Sequence, residues 1–116
     1  MRSGWLLREG DVLCALEMTE SRRERARGLR CRSIGDGAVH LPGGRAAHSL
    51  GMDAPMDAAF LSGDLVVLKI VHLRPWRYAL RLRGARSVVE ADGGALERWG
   101  VQVGDQLEIR EIRPGS

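Results

Sequence analysis

The chain has 116 residues and a mass of 12.8 kDa, with 44% hydrophobic and 28% charged residues and a formal charge of +3. That length fits one domain over residues 1–116, whose core needs no metal or disulfide to fold, and the balance is too apolar for a disordered chain. No run approaches the roughly 20 apolar residues that cross a bilayer, so a membrane-spanning protein is excluded, as are a collagen and a disulfide scaffold.

In chain order, Trp5–Arg8 and Val12–Met18 are apolar runs split by Glu9-Gly10-Asp11, the pattern of a β-hairpin. Thr19–Gly28 reads as a short helix, with Ser21 and Glu24 as a capping box and Gly28 at its end. Ala38–Leu41 is a short strand stopped by Pro42-Gly43-Gly44. Arg45–Met52 and Asp57–Leu61 are extended segments around Asp53-Ala54-Pro55-Met56. Leu65–Leu73 is rich in Val, Ile and Leu and reads as a buried strand. After Pro75, Tyr78–Arg83 alternates, with Tyr78, Leu80 and Leu82 on one face and Arg81 and Arg83 on the other. Ser87–Ala91 is a further strand. Asp92–Trp99 reads as a second short helix, N-capped by Asp92 and ended by Gly100, before a last strand at Gln106–Ile112. The sum predicts an α+β domain: mostly antiparallel β, a small barrel-like sheet and two short helices.

The first ten residues hold an apolar run of only three, which is no export signal, so the expected location is cytoplasmic. Cys14 and Cys31 make no C-x-x-C and are expected to be inert, buried thiols.

Charge is unevenly spread. Of the 18 basic residues, 17 are Arg and one is Lys69. From Leu65 to Val89 there is no acid, against six basic residues. Arg74, Trp76, Arg77, Tyr78, Arg81 and Arg83 set guanidinium groups beside aromatic rings, a combination suited to nucleic acid or another polyanion. The plainer expectation is a solvated strand face whose arginines pair with Glu20, Glu24 and Glu90. A second cluster, Arg22 to Arg32, fits a docked surface helix.

His48 and Asp57 form the third feature. A His beside a carboxylate suits general-base work, so a hydrolase with His48 as base and Asp57 as its orienting partner is an alternative. No nucleophile motif, H-E-x-x-H spacing or cofactor loop accompanies them, so no metal or cofactor is expected. A buried Asp57 is expected to accept backbone N–H groups of its own Asp53–Met56 turn. Gly43-Gly44-Arg45 is expected to be a plain turn rather than an anion-binding nest.

Several blocks then align in order: Glu24-Arg25-Ala26-Arg27-Gly28-Leu29 with Arg32, Gly37, His48, Met52, Pro55-Met56-Asp57, Phe60-Leu61, Pro75-Trp76-Arg77, Gly84–Glu90, Gly94 and Gly100–Leu107. Together they resemble the small bacterial and archaeal family called domain of unknown function 192, over about residues 13–109. The resemblance implies a compact β-rich domain with a small barrel-like sheet, in a family of unsettled activity. Its pocket-like positions fall on Arg25, His48, Asp57 and Glu90. The chain departs from the family at Leu50, where an aromatic is frequent, and at Ala38, where Met is common. The resulting expectation is a non-enzymatic accessory or binding module. Arg25, His48, Asp57, Arg77 and Glu90 would hold a small polar or anionic ligand or a partner protein.

Overall fold

The computed structural model describes residues 2–19, 37–79 and 82–112. The expected helix at Thr19–Gly28 lies almost wholly outside these residues, as do Arg25, Arg81, Cys31, Glu20 and Glu24. Among the described residues the elements are β1 (Arg2–Arg8), β2 (Asp11–Met18), β3 (Ala38–Pro42), β4 (Ala47–His48), β5 (Met56–Leu61), β6 (Val67–Leu73), β7 (Tyr78–Ala79), β8 (Ser87–Asp92), α1 (Ala95–Arg98) and β9 (Leu107–Glu111).

The N-terminal hairpin forms as its sequence predicts. Glu9 and Gly10 both adopt positive φ, 52° and 83°, the primed two-residue turn that matches strand twist. Arg8 therefore pairs with Asp11 and Trp5 with Ala15, with one bulge after Leu6.

Seven strands make one sheet in the order β6-β5-β8-β3-β2-β1-β9, and β4 and β7 make a separate two-stranded ribbon. The sheet is mixed, because β2 and β3 pair in parallel. Parallel neighbours need a crossover of a dozen or more residues, and residues 19–37 are long enough to supply one. The expected barrel does not close. Its outer strands, β6 and β9, meet only at the isolated bridge Val66↔Gln106, and the ladder does not propagate from that corner.

The middle strands are buried on both faces. Leu16, Met18, Ala38, Ala59, Leu61, Val89 and Ala91 pack one way, against Leu96 and Val101 of the α1 region. Val39, Leu41, Met56, Ala58, Phe60 and Val88 pack the other way, against Ala47, Leu82 and Ala85 around the ribbon. The molecule is thus layered: α1 region, sheet, ribbon.

Two elements are shorter than the sequence suggests. Asp92 stays in β8, opposite Met56, and is not a helix cap. Gly94, at φ 88°, is the N-cap residue, and α1 is a single turn that ends before Gly100 at φ 70°. The expected strand at Tyr78–Arg83 does not reach its end: the described strand is Tyr78–Ala79, Leu82 is no longer strand, and Arg83 lies in a turn with Gly84.

Candidate functional site

The α1 face is built around Asp57. This residue is buried, and both its carboxylate oxygens are engaged. Oδ1 lies 2.7 Å from His72 Nδ1, directly across the β5–β6 ladder. Oδ2 accepts the N–H of Gly94 at 2.9 Å and of Leu96 at 3.3 Å. Gly94 has no side chain to cap α1, so a carboxylate from a distant strand performs that task. The Asp53–Met56 turn is therefore not the partner expected for Asp57.

Arg8 holds the opposite end of the same segment. Its guanidinium donates to the carbonyls of Gly100 at 2.6 Å and Trp99 at 3.2 Å, and to Asp105 Oδ2 at 3.1 Å. Asp105 in turn accepts Gln102 N–H at 2.8 Å. Between these anchors lies a cleft of about 470 Å³ lined by Asp57, Ile70, His72, Leu96, Glu97 and Gln102, among others.

The ribbon face differs. His48 pairs with Tyr78 between β4 and β7, and the two rings stack with centroids 6.3 Å apart. The Nδ1 atom of His48 accepts the Leu50 N–H at 3.2 Å. Ser49, fully buried, ties down the Arg74–Arg77 turn: its hydroxyl donates to the Arg74 carbonyl and accepts the Arg77 N–H at 2.8 Å. The Ser49 carbonyl accepts the Trp76 N–H at 3.0 Å. These bonds hold Trp76 in the left-handed region at φ 61°, while its side chain stays 63% exposed. A bulky residue held there is uncommon and strained by about 1 kcal/mol or more.

Further along the ribbon, Arg45, Leu82, Arg83, Gly84 and Arg86 surround a hollow of about 510 Å³. The Leu82 N–H bonds the Arg45 carbonyl at 3.0 Å and the Gly43 N–H bonds the Arg86 carbonyl at 2.9 Å, which brings the two turns together. The Gly43 and Gly44 N–H groups are thus taken by carbonyls, as a plain turn requires. Among the described residues, Arg45, Arg74, Arg83 and Arg86 form no ion pair with a carboxylate. Glu90 is buried in β8 beside Val39 and Ala58.

Of the residues predicted to share a pocket, Arg25 lies outside the described residues and the other four are dispersed. Asp57 belongs to the α1 cleft, His48 and Arg77 to the ribbon, and Glu90 to the middle of the sheet. No hydrogen bond joins His48 to Asp57, so the expected hydrolytic pair is not assembled; His72 stands where His48 was expected. Arg8 and His72 escaped the sequence reading, as did Arg45 as part of the hollow. Cys14 is a free, buried thiol, and burial pushes its pKa up to about 12, as an inert cysteine requires. Among the described residues no helix is long and apolar enough to cross a membrane, and no cluster of three metal-ligating side chains forms.

The model of the family DUF192, described as Uncharacterized ACR, matches residues 6–109. The chain belongs to the DUF192 family. Among curated DUF192-like relatives, a UPF0127 protein of Pyrococcus furiosus is 36% identical over 63 residues, 54% of each chain. A UPF0127 protein of Pyrococcus abyssi is 33% identical over 61 residues, 53% of this chain and 52% of that one. The chain thus spans about half the length of the curated relatives it matches. Two solved structures share the fold. A Sinorhizobium meliloti protein described as a proposed transcription regulator superposes with a TM-score of 0.73 at 21% identity, over 93% of this chain and 92% of that one. A Novosphingobium aromaticivorans protein of unknown function gives 0.71 at 21% identity, over 93% and 84%.

Proposed function

We propose that this DUF192 protein is an accessory binding module that seats an anionic ligand in the hollow formed by Arg45, Arg83 and Arg86. One observation carries the reading: three arginines from two turns border one hollow, and among the described residues no carboxylate pairs with any of them. A guanidinium presents a rigid fork of donors that fits phosphate or carboxylate oxygens in pairs, so such a cluster favours an anion strongly. A cytoplasmic location belongs to the same reading, supported by the unpaired thiol of Cys14.

Thermal unfolding with inorganic pyrophosphate tests it. A ligand present at about 100 times its Kd adds roughly 2.7 kcal/mol, a rise of about 10 °C for a chain of this size. Wild type should respond and the triple variant Arg45→Ala, Arg83→Ala, Arg86→Ala should not. Equal responses, or none in either protein, would overturn the proposal.

The geometry of Trp76 favours a second reading, in which the anion is single-stranded nucleic acid. An indole held outward by a strained backbone, beside exposed Arg74, Arg77 and Tyr78, offers the stacking surface that bases need. The description of the Sinorhizobium relative points the same way. Binding to an oligothymidylate should then weaken with salt, with a logarithmic slope of about −0.7 per phosphate contacted. Salt-independent binding, or full binding by Trp76→Ala with Tyr78→Ala, would leave only the small-anion reading.

A further inference from the structure

On the opposite face of the sheet, the geometry points to a second site: Asp57 and His72 form a proton-accepting cleft for a small neutral ligand that carries a hydroxyl on an apolar body. Three observations on the page converge on this. The first is the state of the imidazole. A carboxylate offers only acceptors, and Asp57 also accepts two backbone N–H groups. Nδ1 of His72 must therefore carry the proton on the Asp57 side, at 2.7 Å, and a neutral ring keeps its lone pair on Nε2. The second is access: the His72 side chain is 58% exposed while that of Asp57 is only 7% exposed, and among the described residues no group bonds Nε2.

The third is that the surroundings are built to hold this ring. A Cβ at Gly93 would fall 3.0 Å from His72 Cε1 and 3.1 Å from Pro55, so glycine lets the chain lie close against the imidazole without displacing it. Asp57 fixes one end of the cleft wall and Arg8 the other. The lining then sets the ligand class. Ile70, Leu96 and Val101 supply apolar walls and Gln102 a polar contact, which suit an apolar body carrying one hydroxyl. A base oriented by a buried carboxylate is the arrangement that proton transfer requires. The proton moves from the ligand oxygen to His72 Nε2, and the imidazolium so formed stays paired with Asp57. This ligand class is unlike the anion proposed for the arginine hollow, and neither site depends on the other.

The test uses p-nitrophenol, whose anion absorbs in the visible, added to the full chain at pH 7. Binding with proton transfer should raise the phenolate band in a saturable way. His72→Gln, which leaves the Asp57 bonds to Gly94 and Leu96 intact, should weaken half-saturation by about tenfold; the Arg45, Arg83, Arg86 triple variant should bind as wild type does. No saturable change, an unaltered response in His72→Gln, or loss in the arginine variant alone would overturn the proposal. A nitrogen-15 NMR spectrum of unmutated protein provides a check independent of any variant. A neutral His72 protonated at Nδ1 supports the site, and one protonated at Nε2 refutes it.

Discussion

On the α1 face, both oxygens of Asp57 have donors and Arg8 reaches two carbonyls and a carboxylate. On the ribbon face, Arg45, Arg74, Arg83 and Arg86 reach no carboxylate among the described residues, Trp76 sits exposed in a strained backbone, and Tyr78 is 63% exposed. The first region uses charge to hold the chain together. The second carries charge and aromatic surface that the fold itself does not consume. Charge in a sequence thus has two meanings, and the partner of each group separates them: Arg8 and Arg86 are the same residue type with opposite roles.

The largest expected effect tests how far the α1 side depends on polar groups in a closed interior. His40 in β3 is buried, its Nε2 has no hydrogen-bond partner, and burial, aided by the charge of Arg2, lowers its pKa to about 4. The folded protein refuses a proton that the unfolded chain accepts below pH 6.5. His40 therefore adds no pH-linked cost above about pH 6.5, and stability falls as pH drops from there to about 4, by roughly 3 kcal/mol in all. Urea denaturation at several pH values should show this slope, and His40→Leu should flatten it. An equal slope in the variant would assign acid sensitivity elsewhere.

The next effect separates the two members of the cleft pair. Asp57→Ala strands two backbone N–H groups and uncaps α1, so it should cost about 2 kcal/mol. His72→Ala removes a half-exposed partner and should cost under about 1 kcal/mol. If His72→Ala were the more damaging change, the ring would be a structural element and the contrast between a held carboxylate and an available imidazole would fail.

The sequence shows some of this directly. Two apolar runs and the Glu9-Gly10 turn predict the first hairpin, and the Val- and Ile-rich run predicts β6, although β6 is an edge strand and largely exposed where a buried strand was expected. Burial of Asp57 is legible too, but its partner is not. His72 faces Asp57 only because β5 and β6 share a register with one bulge between Phe60 and Leu61, and no residue type announces a bulge. Arg8 binds a segment more than ninety positions away, so local pattern carries no trace of it. The parallel pairing of β2 with β3 is equally hidden, because nothing in two short apolar runs specifies the direction of the neighbouring strand. The basic run at Leu65–Val89 is visible as composition, yet Arg45, which completes the hollow, comes from a separate turn twenty residues before it begins.

Trp76 offers a smaller and opposite effect. Glycine accepts φ 61° without penalty, so Trp76→Gly should relieve about 1 kcal/mol of strain, partly offset by the greater freedom of glycine in the unfolded chain. A stability that holds or rises, together with weaker oligothymidylate binding, would mark the indole as kept for a partner. A clear loss of stability would mean that the exposed ring supports the fold after all.

The smallest expected change in stability is the most telling. Replacing Arg45, Arg83 and Arg86 together by Ala removes three exposed cations that contact no carboxylate, and surface changes of this kind stay within about 0.5 kcal/mol each. Relief of mutual repulsion among the three should pull the sum toward zero. Chemical denaturation should therefore give the wild-type midpoint while the response to pyrophosphate disappears. A destabilisation well above 1 kcal/mol would show that the guanidinium stems pack against the turns they border. The ribbon face would then resemble the α1 face in using its charged side chains to hold the chain, and the distinction between the two faces would collapse.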